Sequence, residues 1–196
     1  MNQRKIQKLK KKLRHHLDKE RYEHTLGVMY TAGAMAMAYQ IDIEKAIIAG
    51  LLHDCAKCFS SEKKLKLCQK YKLPINAYER KNPGLLHAKL GACLAKYKYK
   101  IRDLEILEAI QYHTTGRPNM TMLDKIVYIA DYIEPNRDFP GVEKLRELAK
   151  TDLDAAMLMG LDMAVAHVRR QGAIVGVHSL EAIAFLTKGK ERNNDT

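Results

Sequence analysis

The twelve residues from position 46 to 57, AIIAGLLHDCAK, constrain this chain more than any other stretch. Their apolar members recur with the spacing of a buried helical face: Ile47, Ile48, Leu51 and Leu52. That face runs into the adjacent His53 and Asp54, and both groups are costly to bury unless they pair or bind metal. A solvated helix end, with Lys57 complementing the helix dipole, explains the pair equally well on its own. The stretch predicts a metal site only if the rest of the chain supplies further ligands.

The composition predicts an all-α protein. The chain has 196 residues with only 5 Pro, 11 Gly and no Trp, and it is rich in residues that favour helices. We expect one domain over residues 1–187, with a basic helix over 1–17 packed on it and a disordered tail over 188–196. There is no signal-peptide pattern and no apolar run of about 18 residues, so we expect no membrane partner. Four cysteines make no disulfide framework, which predicts a cytoplasmic location.

Positive charge is concentrated in two segments of the chain. The net charge is +11, with an excess of basic over acidic residues in 1–21 and in 61–102 and a negative balance elsewhere. Such segments attract nucleic acid or a polyphosphate, or are simply solvated helix faces. Because no nucleic-acid motif accompanies them, we expect no sequence-specific binding of nucleic acid. The segment 61–102 is instead a candidate mouth for a site that receives a polyanion.

Ligand-type residues lie on the apolar faces of several predicted helices. They are His24, His53, Asp54, His87, His113 and Asp131. Each has an ordinary explanation as a hydrogen-bonded core residue or a paired carboxylate, but six such explanations together are much less plausible. Imidazole and carboxylate suit first-row transition ions, which helical bundles bind in their cores. Six ligands exceed the needs of one tetrahedral ion, so the pattern predicts a pair of ions of the kind that phosphoryl-transfer hydrolases use.

Other reactive side chains fit no motif. Cys55 and Cys58 form a single Cys-x-x-Cys without a redox or structural-zinc context. His167 and His178 have no acidic companion on a shared face, and we expect both to be structural or solvated. These residues are therefore left outside the predicted site.

Four segments together resemble a known family. They are RYEHTLG from Arg21, LLHDCAK from Leu51, YHTTG from Tyr112 and ADYIEPNR from Ala130. The order of His24, His53-Asp54 and Asp131 resembles the HD-domain metal phosphohydrolases, and the additional His87 and His113 resemble the subset with two metals. More narrowly, the segments resemble the bacterial YqeK family of symmetrical dinucleoside tetraphosphate hydrolases, which often bind iron. The resemblance covers about residues 15 to 187 and implies an HD-domain helical bundle with a dinuclear site in its core.

The resemblance also implies a role for each residue. His24, His53, Asp54 and Asp131 would hold one ion, and Asp54 would bridge to a second ion on His87 and His113. Two divalent transition metals are implied, iron first and manganese or cobalt as alternatives. A hydroxide between them would split diadenosine tetraphosphate, or a related dinucleoside tetraphosphate, into two molecules of ADP or a GDP-like product. Asp54 and Lys57 would be catalytic, and the residues implied to contact substrate are Arg21, Lys57, Thr115, Gly116 and Arg137.

Two alternatives stay open at this point. An HD-domain phosphohydrolase acting on a mononucleotide, a cyclic nucleotide or a guanosine alarmone would share the same metal residues. A basic, non-catalytic helical module that binds RNA or DNA would show salt-sensitive binding without metal dependence. The sequence does not decide the native metal, the preferred base or the oligomeric state, and it leaves a homodimer possible.

Overall fold

The computed structural model describes residues 2–194, with side chains through residue 189. Over that range the chain forms helices and short connections and no β-strand, which confirms the all-α prediction. The helices are α1 (Gln3–Arg14), α2 (Lys19–Ala38), α3 (Ile43–Leu52), α4 (Ser61–Lys70), α5 (Ala77–Lys81), α6 (Leu86–Tyr97), α7 (Leu104–Tyr112), α8 (Met122–Ile133), α9 (Val142–Thr151), α10 (Leu153–Arg170) and α11 (Val177–Asn194). A 3-10 helix over Pro83–Leu85 precedes α6.

Polar side chains begin most of these helices, as the sequence indicated. Asp18, Asp42 and Ser60 each accept a hydrogen bond from the backbone amide three residues ahead, at the starts of α2, α3 and α4. Such caps satisfy amide groups that have no partner inside the helix. At the start of α8, Thr121 and Asp124 form a reciprocal capping box. A polar residue ahead of a run of apolar residues at helical spacing is the sequence signature of such a start.

Five helices, α2, α3, α6, α7 and α8, enclose the centre of the molecule. Helix α2 packs along α3 and α8, while α7 packs against α3, α6 and α8. Gly50 allows the first of these contacts to be close, because a Cβ there would lie 3.1 Å from the carbonyl oxygen of Val28 and 3.2 Å from the Cα of Met29. A larger residue would therefore push α2 and α3 apart and separate the side chains at the end of α3 from those of α2.

The chain ends differ in detail from the sequence-based expectation. Helix α1 ends at Arg14 rather than near residue 17, and it packs on α2 and α3 through Ile6, Leu9 and Leu13. At the other end, α11 continues through Asn194, where a disordered tail from residue 188 was expected. The physical reason is local, since Lys and Glu in this segment are good helix formers that extend an existing helix. Asp195 and Thr196, the end of the expected tail, lie outside the described residues.

One short helix was not predicted. Helix α5 has no buried residues, so it shows no apolar periodicity in the sequence. It is held by a capping box between Asn76 and Glu79. Lys89 of α6 then pairs with Glu79 at 2.5 Å and donates to the carbonyl of Pro74. Among the described residues, no helix combines the length and the apolar character needed to cross a membrane.

Candidate metal centre

The ligand-type residues reach the centre from the helices that enclose it. His24 lies on α2 and Asp131 lies near the end of α8. His53 and His113 directly follow the last residues of α3 and α7, and Asp54 follows His53 in the turn. The remaining ligand-type residue, His87, lies in the first turn of α6. The structure thus brings together all six residues that the sequence singled out, although they span 108 positions of the chain.

Each of the four imidazoles is held through its Nδ1 atom, three by a backbone carbonyl and one by a carboxylate. The Nδ1 atoms of His53, His87 and His113 lie 2.7, 2.6 and 2.7 Å from the carbonyl oxygens three residues earlier. The Nδ1 of His24 lies 3.1 Å from Oε1 of Glu134. Since a carbonyl or carboxylate oxygen can only accept, each Nδ1 carries the proton and donates it. Each Nε2 therefore keeps a free lone pair, which is the atom and state in which histidine binds metal.

Asp54 divides its two oxygens between two groups of histidines. Its Oδ1 lies 3.2 Å from Nε2 of His87 and 3.5 Å from Nε2 of His113. Its Oδ2 lies 3.6 Å from Nε2 of His53 and 4.0 Å from Nε2 of His24. A carboxylate with one oxygen toward each group has the geometry needed to bridge two cations.

Asp131 belongs to the group of His24 and His53. Its Oδ1 lies 3.0 Å from Nε2 of His24 and 3.9 Å from Nε2 of His53. Ligand atoms of these three residues lie within 4.8 Å of one another, and the same holds for His53, Asp54 and His113. Two overlapping sets of ligand atoms are thus present on the two sides of Asp54.

Several of these atoms are buried without a hydrogen-bond partner. They are Nε2 of His24, Nε2 of His53 and Oδ1 of Asp54. A buried acceptor that lacks a donor is costly, so natural proteins seldom leave three together. A metal ion accepts electron pairs from all three atoms and removes that cost. The donor set therefore fits divalent transition metals of the kind that the sequence predicted.

Burial and charge keep these groups in their metal-binding protonation states. Burial lowers the pKa of His53 to about 4, and burial also lowers the pKa of His87. Burial raises the pKa of the Asp54 carboxyl, but the surrounding groups hold that pKa well below its usual range, and Oδ2 accepts from the Arg21 guanidinium at 2.9 Å. Burial likewise raises the pKa of Asp131, but neighbouring groups, among them the Arg137 guanidinium that donates to its Oδ1, hold it below its ordinary value. At neutral pH His53 and His87 are therefore neutral, while Asp54 and Asp131 are charged, and these are the protonation states that metal binding requires.

Three cationic side chains surround the cluster. Arg21 Nη1 donates to Oδ2 of Asp54 at 2.9 Å. Arg137 donates to both the Oδ1 and the backbone oxygen of Asp131, at 2.6 and 2.7 Å. Lys57 Nζ lies 3.4 Å from Nε2 of His87. Of these, Lys57 and Arg137 also line the open cavity beside the cluster.

That cavity has a volume of about 1040 Å³. It is bounded by the ligand-type residues His87, His113 and Asp131, by Tyr132 of α8, by Phe139 and Pro140 after α8, and by side chains between residues 163 and 170 of α10. A second hollow of about 970 Å³ lies between α1, α2, α3 and α7, and no histidine lines it. The first cavity is therefore the candidate active site.

The structure does not support substrate contacts from the amides of Thr115 and Gly116. Both amides donate to the carbonyl of Tyr112, at 3.2 and 2.8 Å, and Gly116 is buried against α10 and α11. The residue of this turn that lines the cavity is Thr114. The sequence located the turn correctly, but it could not show that these two amides are used to close it.

Comparison with known proteins agrees with this geometry. The model of the HD domain family matches residues 21–136, which is more than half of the chain and includes all six ligand-type residues. This chain belongs to the HD domain family. HD domains bind divalent metal, and the cluster of histidines and aspartates described above lies within the matched segment.

Relatives within the HD domain family carry a specific activity in their names. The symmetrical bis(5'-nucleosyl)-tetraphosphatase of Bacillus subtilis is 46% identical over 145 residues, covering 74% of this chain and 77% of that protein. The enzyme of the same name from Halalkalibacterium halodurans is 47% identical over 146 residues, covering 74% of this chain and 78% of that protein. A crystal structure of a predicted HD superfamily hydrolase involved in NAD metabolism from Clostridium acetobutylicum is 44% identical, with a TM-score of 0.90 over 93% of this chain and 96% of that one. The resemblance noted from the sequence motifs is thereby confirmed.

Three residues of this HD domain were not assigned to the site by sequence reasoning. Glu134, only 1% exposed, holds the imidazole of His24 and accepts from the amide of Asn136 at 2.9 Å. Lys64 is buried at the cavity, and the exposed His167 lines its rim. Glu134 lies inside the recognised ADYIEPNR motif, so the motif could have pointed to it. Nothing in the sequence distinguishes Lys64 from the many lysines around it.

The histidine and cysteine side chains left outside the predicted site have other environments. His178 is exposed as expected, but its Nδ1 lies 3.3 Å from Oε2 of Glu181, so the expectation that it has no acidic companion was wrong. Cys55 and Cys58 are free thiols, one buried and one exposed. The Sγ of Cys58 contacts Oδ2 of Asp18 at 3.1 Å and is not paired with Cys55. The Cys-x-x-Cys spacing is therefore unrelated to the metal-binding cluster.

Proposed function

We propose that this HD domain is a metal-dependent hydrolase that splits diadenosine tetraphosphate and related dinucleoside tetraphosphates symmetrically into two nucleoside diphosphates. The observation that carries the proposal is the convergence of four imidazole Nε2 atoms on the two oxygens of Asp54. Two independent findings agree with it: the relatives named for this activity, and a cavity that opens directly on the cluster and is lined by basic and aromatic residues.

The two sets of ligand atoms support two metal positions. His24, His53, Asp131 and Oδ2 of Asp54 would hold one ion. His87, His113 and Oδ1 of Asp54 would hold the other. Iron is the metal we propose, with manganese or cobalt as alternatives, because imidazole and carboxylate donors suit all three. When bound, such a pair lowers the pKa of the attacking water and offsets the negative charge of the phosphoryl oxygens.

The side chains around the cluster would bind and orient the tetraphosphate. Lys57, beside His87 and facing the cavity, would donate to oxygens of the phosphate that is attacked. Arg137 uses Nε and Nη2 on Asp131, and its remaining Nη1 would donate to a phosphate in the cavity that Arg137 lines. Charge developing on the phosphoryl oxygens is then met by fixed donors, which stabilise it without reorganisation. Arg21 donates to Oδ2 of Asp54. We therefore propose that it positions that carboxylate rather than binding substrate.

The aromatic residues of the cavity would receive a nucleoside. Tyr132 and Phe139 pack edge to face with ring centroids 6.3 Å apart, and both line the cavity. An aromatic wall offers a base a stacking surface with little dependence on its identity. This arrangement agrees with a substrate that carries bases at the ends of a polyphosphate chain.

The decisive experiment is chromatography of the products formed from diadenosine tetraphosphate by the metal-loaded protein, run beside His53→Ala and Asp54→Ala. ADP as the only product, lost in both variants, would support symmetrical hydrolysis at this cluster. AMP together with ATP would retain the site but overturn the cleavage position. Absence of turnover with iron, manganese or cobalt, despite bound metal, would overturn the substrate assignment in favour of another nucleotide.

A further inference from the structure

Lys64 is a charged side chain that is largely buried. It is only 7% exposed, yet none of the side chains described for residues 2–189 forms a hydrogen bond or an ion pair with it. Its position on α4 is also unfavourable for a positive charge, because Lys64 lies in the first turn of the helix, where the helix dipole disfavours a cation. Its Nζ is not among the buried atoms that lack a hydrogen-bond partner, so the ammonium group opens on the cavity that Lys64 lines, where it can meet an anionic ligand.

The surroundings of Lys64 show where that ligand would lie. Lys64 lines the same cavity as Lys57, His87 and His113. Burial lowers the pKa of Lys64 and the charge of Lys57 lowers it further, whereas the carboxylate of Asp54 raises it. Two lysines that line one cavity concentrate positive charge there, which favours an anionic ligand.

We propose that Lys64, together with Lys57, forms a phosphate subsite for the phosphate adjacent to the one that is attacked. Lys57 Nζ lies 3.4 Å from Nε2 of His87 and reaches the attacked phosphate, whereas Lys64 forms no hydrogen bond or ion pair with the described residues of the cluster and binds the next phosphate along the chain. This inference rests on the proposed function, since it takes the bound phosphates to be those of a dinucleoside polyphosphate.

The subsite would distinguish nucleotides by the number of phosphates that they carry. A nucleoside diphosphate fills both positions, at Lys57 and at Lys64, whereas a nucleoside monophosphate fills only one of them. Lys64 therefore selects for nucleotide halves that carry two phosphates. Central cleavage of a tetraphosphate, which leaves two phosphates on each half, agrees with this selection.

The test compares Lys64→Met, Lys64→Arg and Lys66→Met in the metal-loaded enzyme. Met keeps the length of the side chain without its charge, Arg restores the charge, and Lys66 is an exposed lysine on the same helix. Binding of ADP and of AMP is measured by calorimetry, and thermal unfolding is measured without nucleotide. We expect Lys64→Met to reduce the ratio of ADP to AMP affinity by about tenfold, the usual effect of a lost charge-assisted hydrogen bond. We expect Lys64→Arg and Lys66→Met to keep the wild-type ratio.

Thermal unfolding separates this role from a structural one. Removal of an unpaired buried charge should leave the melting temperature of Lys64→Met unchanged or higher. An unchanged ratio of ADP to AMP affinity in Lys64→Met would overturn the inference. Equal weakening of both nucleotides with a lower melting temperature would also overturn it, because that is the signature of a structural lysine. The product analysis of the wild-type enzyme is independent of these measurements, so the hydrolytic function and the subsite can fail separately.

Discussion

The Nε2 atoms of His87 and His113 lie 3.3 Å apart in a geometry that two neutral imidazoles do not favour. Because both Nδ1 atoms donate to backbone carbonyls, both Nε2 atoms present lone pairs to each other. The Oδ1 of Asp54 faces the same space at 3.2 and 3.5 Å, which adds negative charge. The backbone thus holds three electron-pair donors around one point, and a cation at that point turns their mutual repulsion into coordination.

Loss of either histidine of this pair should remove one metal ion from the protein. We expect His87→Ala to bind one ion per chain instead of two, with hydrolysis reduced by about two orders of magnitude or more. Elemental analysis of the purified variant and an assay of diadenosine tetraphosphate hydrolysis measure both effects. The exposed His178→Ala should retain both ions and full activity. Two tightly bound ions in His87→Ala would contradict the assignment of this position.

Glu134 should matter for metal affinity although it is not itself a ligand. Its carboxylate holds Nδ1 of His24, so Glu134→Gln should weaken metal binding by about 10 to 100-fold through a less well oriented imidazole. Titration with a competing chelator measures this change. Glu143→Gln, a surface partner of Arg146, is the matched control and should bind metal normally. Equal metal affinity in Glu134→Gln and the wild type would argue against the positioning role.

Gly27 lies against Glu134, so a substitution at Gly27 should also change metal affinity. A Cβ at this position would collide with the carboxylate of Glu134, which is fixed by His24 and by the amide of Asn136. Gly27→Ala should therefore displace Glu134 and lower metal affinity in the same direction as Glu134→Gln. If the double variant is no weaker than either single variant, as the same chelator titration would show, the two residues act through one contact. Additive effects would mean that they act separately.

The stability of the metal-free protein should fall as the pH is lowered from 6.5 to about 4. The pKa of His53 in the folded protein is about 4 because of burial, below its ordinary value of 6.5. Over this interval the unfolded chain takes up a proton that the folded chain does not, so acid favours unfolding. The loss should approach about 3 kcal/mol for this residue. Denaturant unfolding of chelator-treated protein at several pH values measures it.

Variants of two histidines test the cause of this loss. His53→Gln should reduce the slope of stability against pH, and His87→Gln should reduce it in the same direction, since burial lowers the pKa of His87 as well. His16→Gln, at an exposed position, should keep the wild-type slope. If His53→Gln and His87→Gln both retain that slope, the acid sensitivity has another origin.

The four cysteines should differ sharply in reactivity. Burial raises the pKa of the Cys55 thiol to about 12, and Cys68 and Cys93 are also buried, whereas Cys58 is exposed. A thiol reagent at pH 8 should therefore modify one cysteine rapidly in the folded protein and the other three only after unfolding. Mass spectrometry after timed labelling identifies the modified residue. Cys58→Ser should abolish the rapid phase, and persistence of that phase would contradict the exposure assigned here.

Most helices and the six ligand-type residues could be predicted from the sequence because both signals are local. Asp18 and Asp42 precede apolar residues at helical spacing, and His24, His53 and His113 stand on those apolar faces or directly after them. The resemblance of the motifs then identified the family and its activity. Helix α5 escaped prediction because it buries nothing, and the role expected for Gly116 was misplaced because its amide closes the turn.

The sequence by itself determined where the helices begin, which six residues converge, and which family the chain belongs to. The tertiary structure decided which nitrogen of each histidine faces the centre, that Arg21 pairs with Asp54, and that one lysine of a basic helix is buried at the cavity. These features depend on contacts between residues far apart in the chain, such as His24 with Glu134. Hydrophobic periodicity reports which face of a helix is buried, but it carries no information on how closely two helices approach or which polar atoms meet between them.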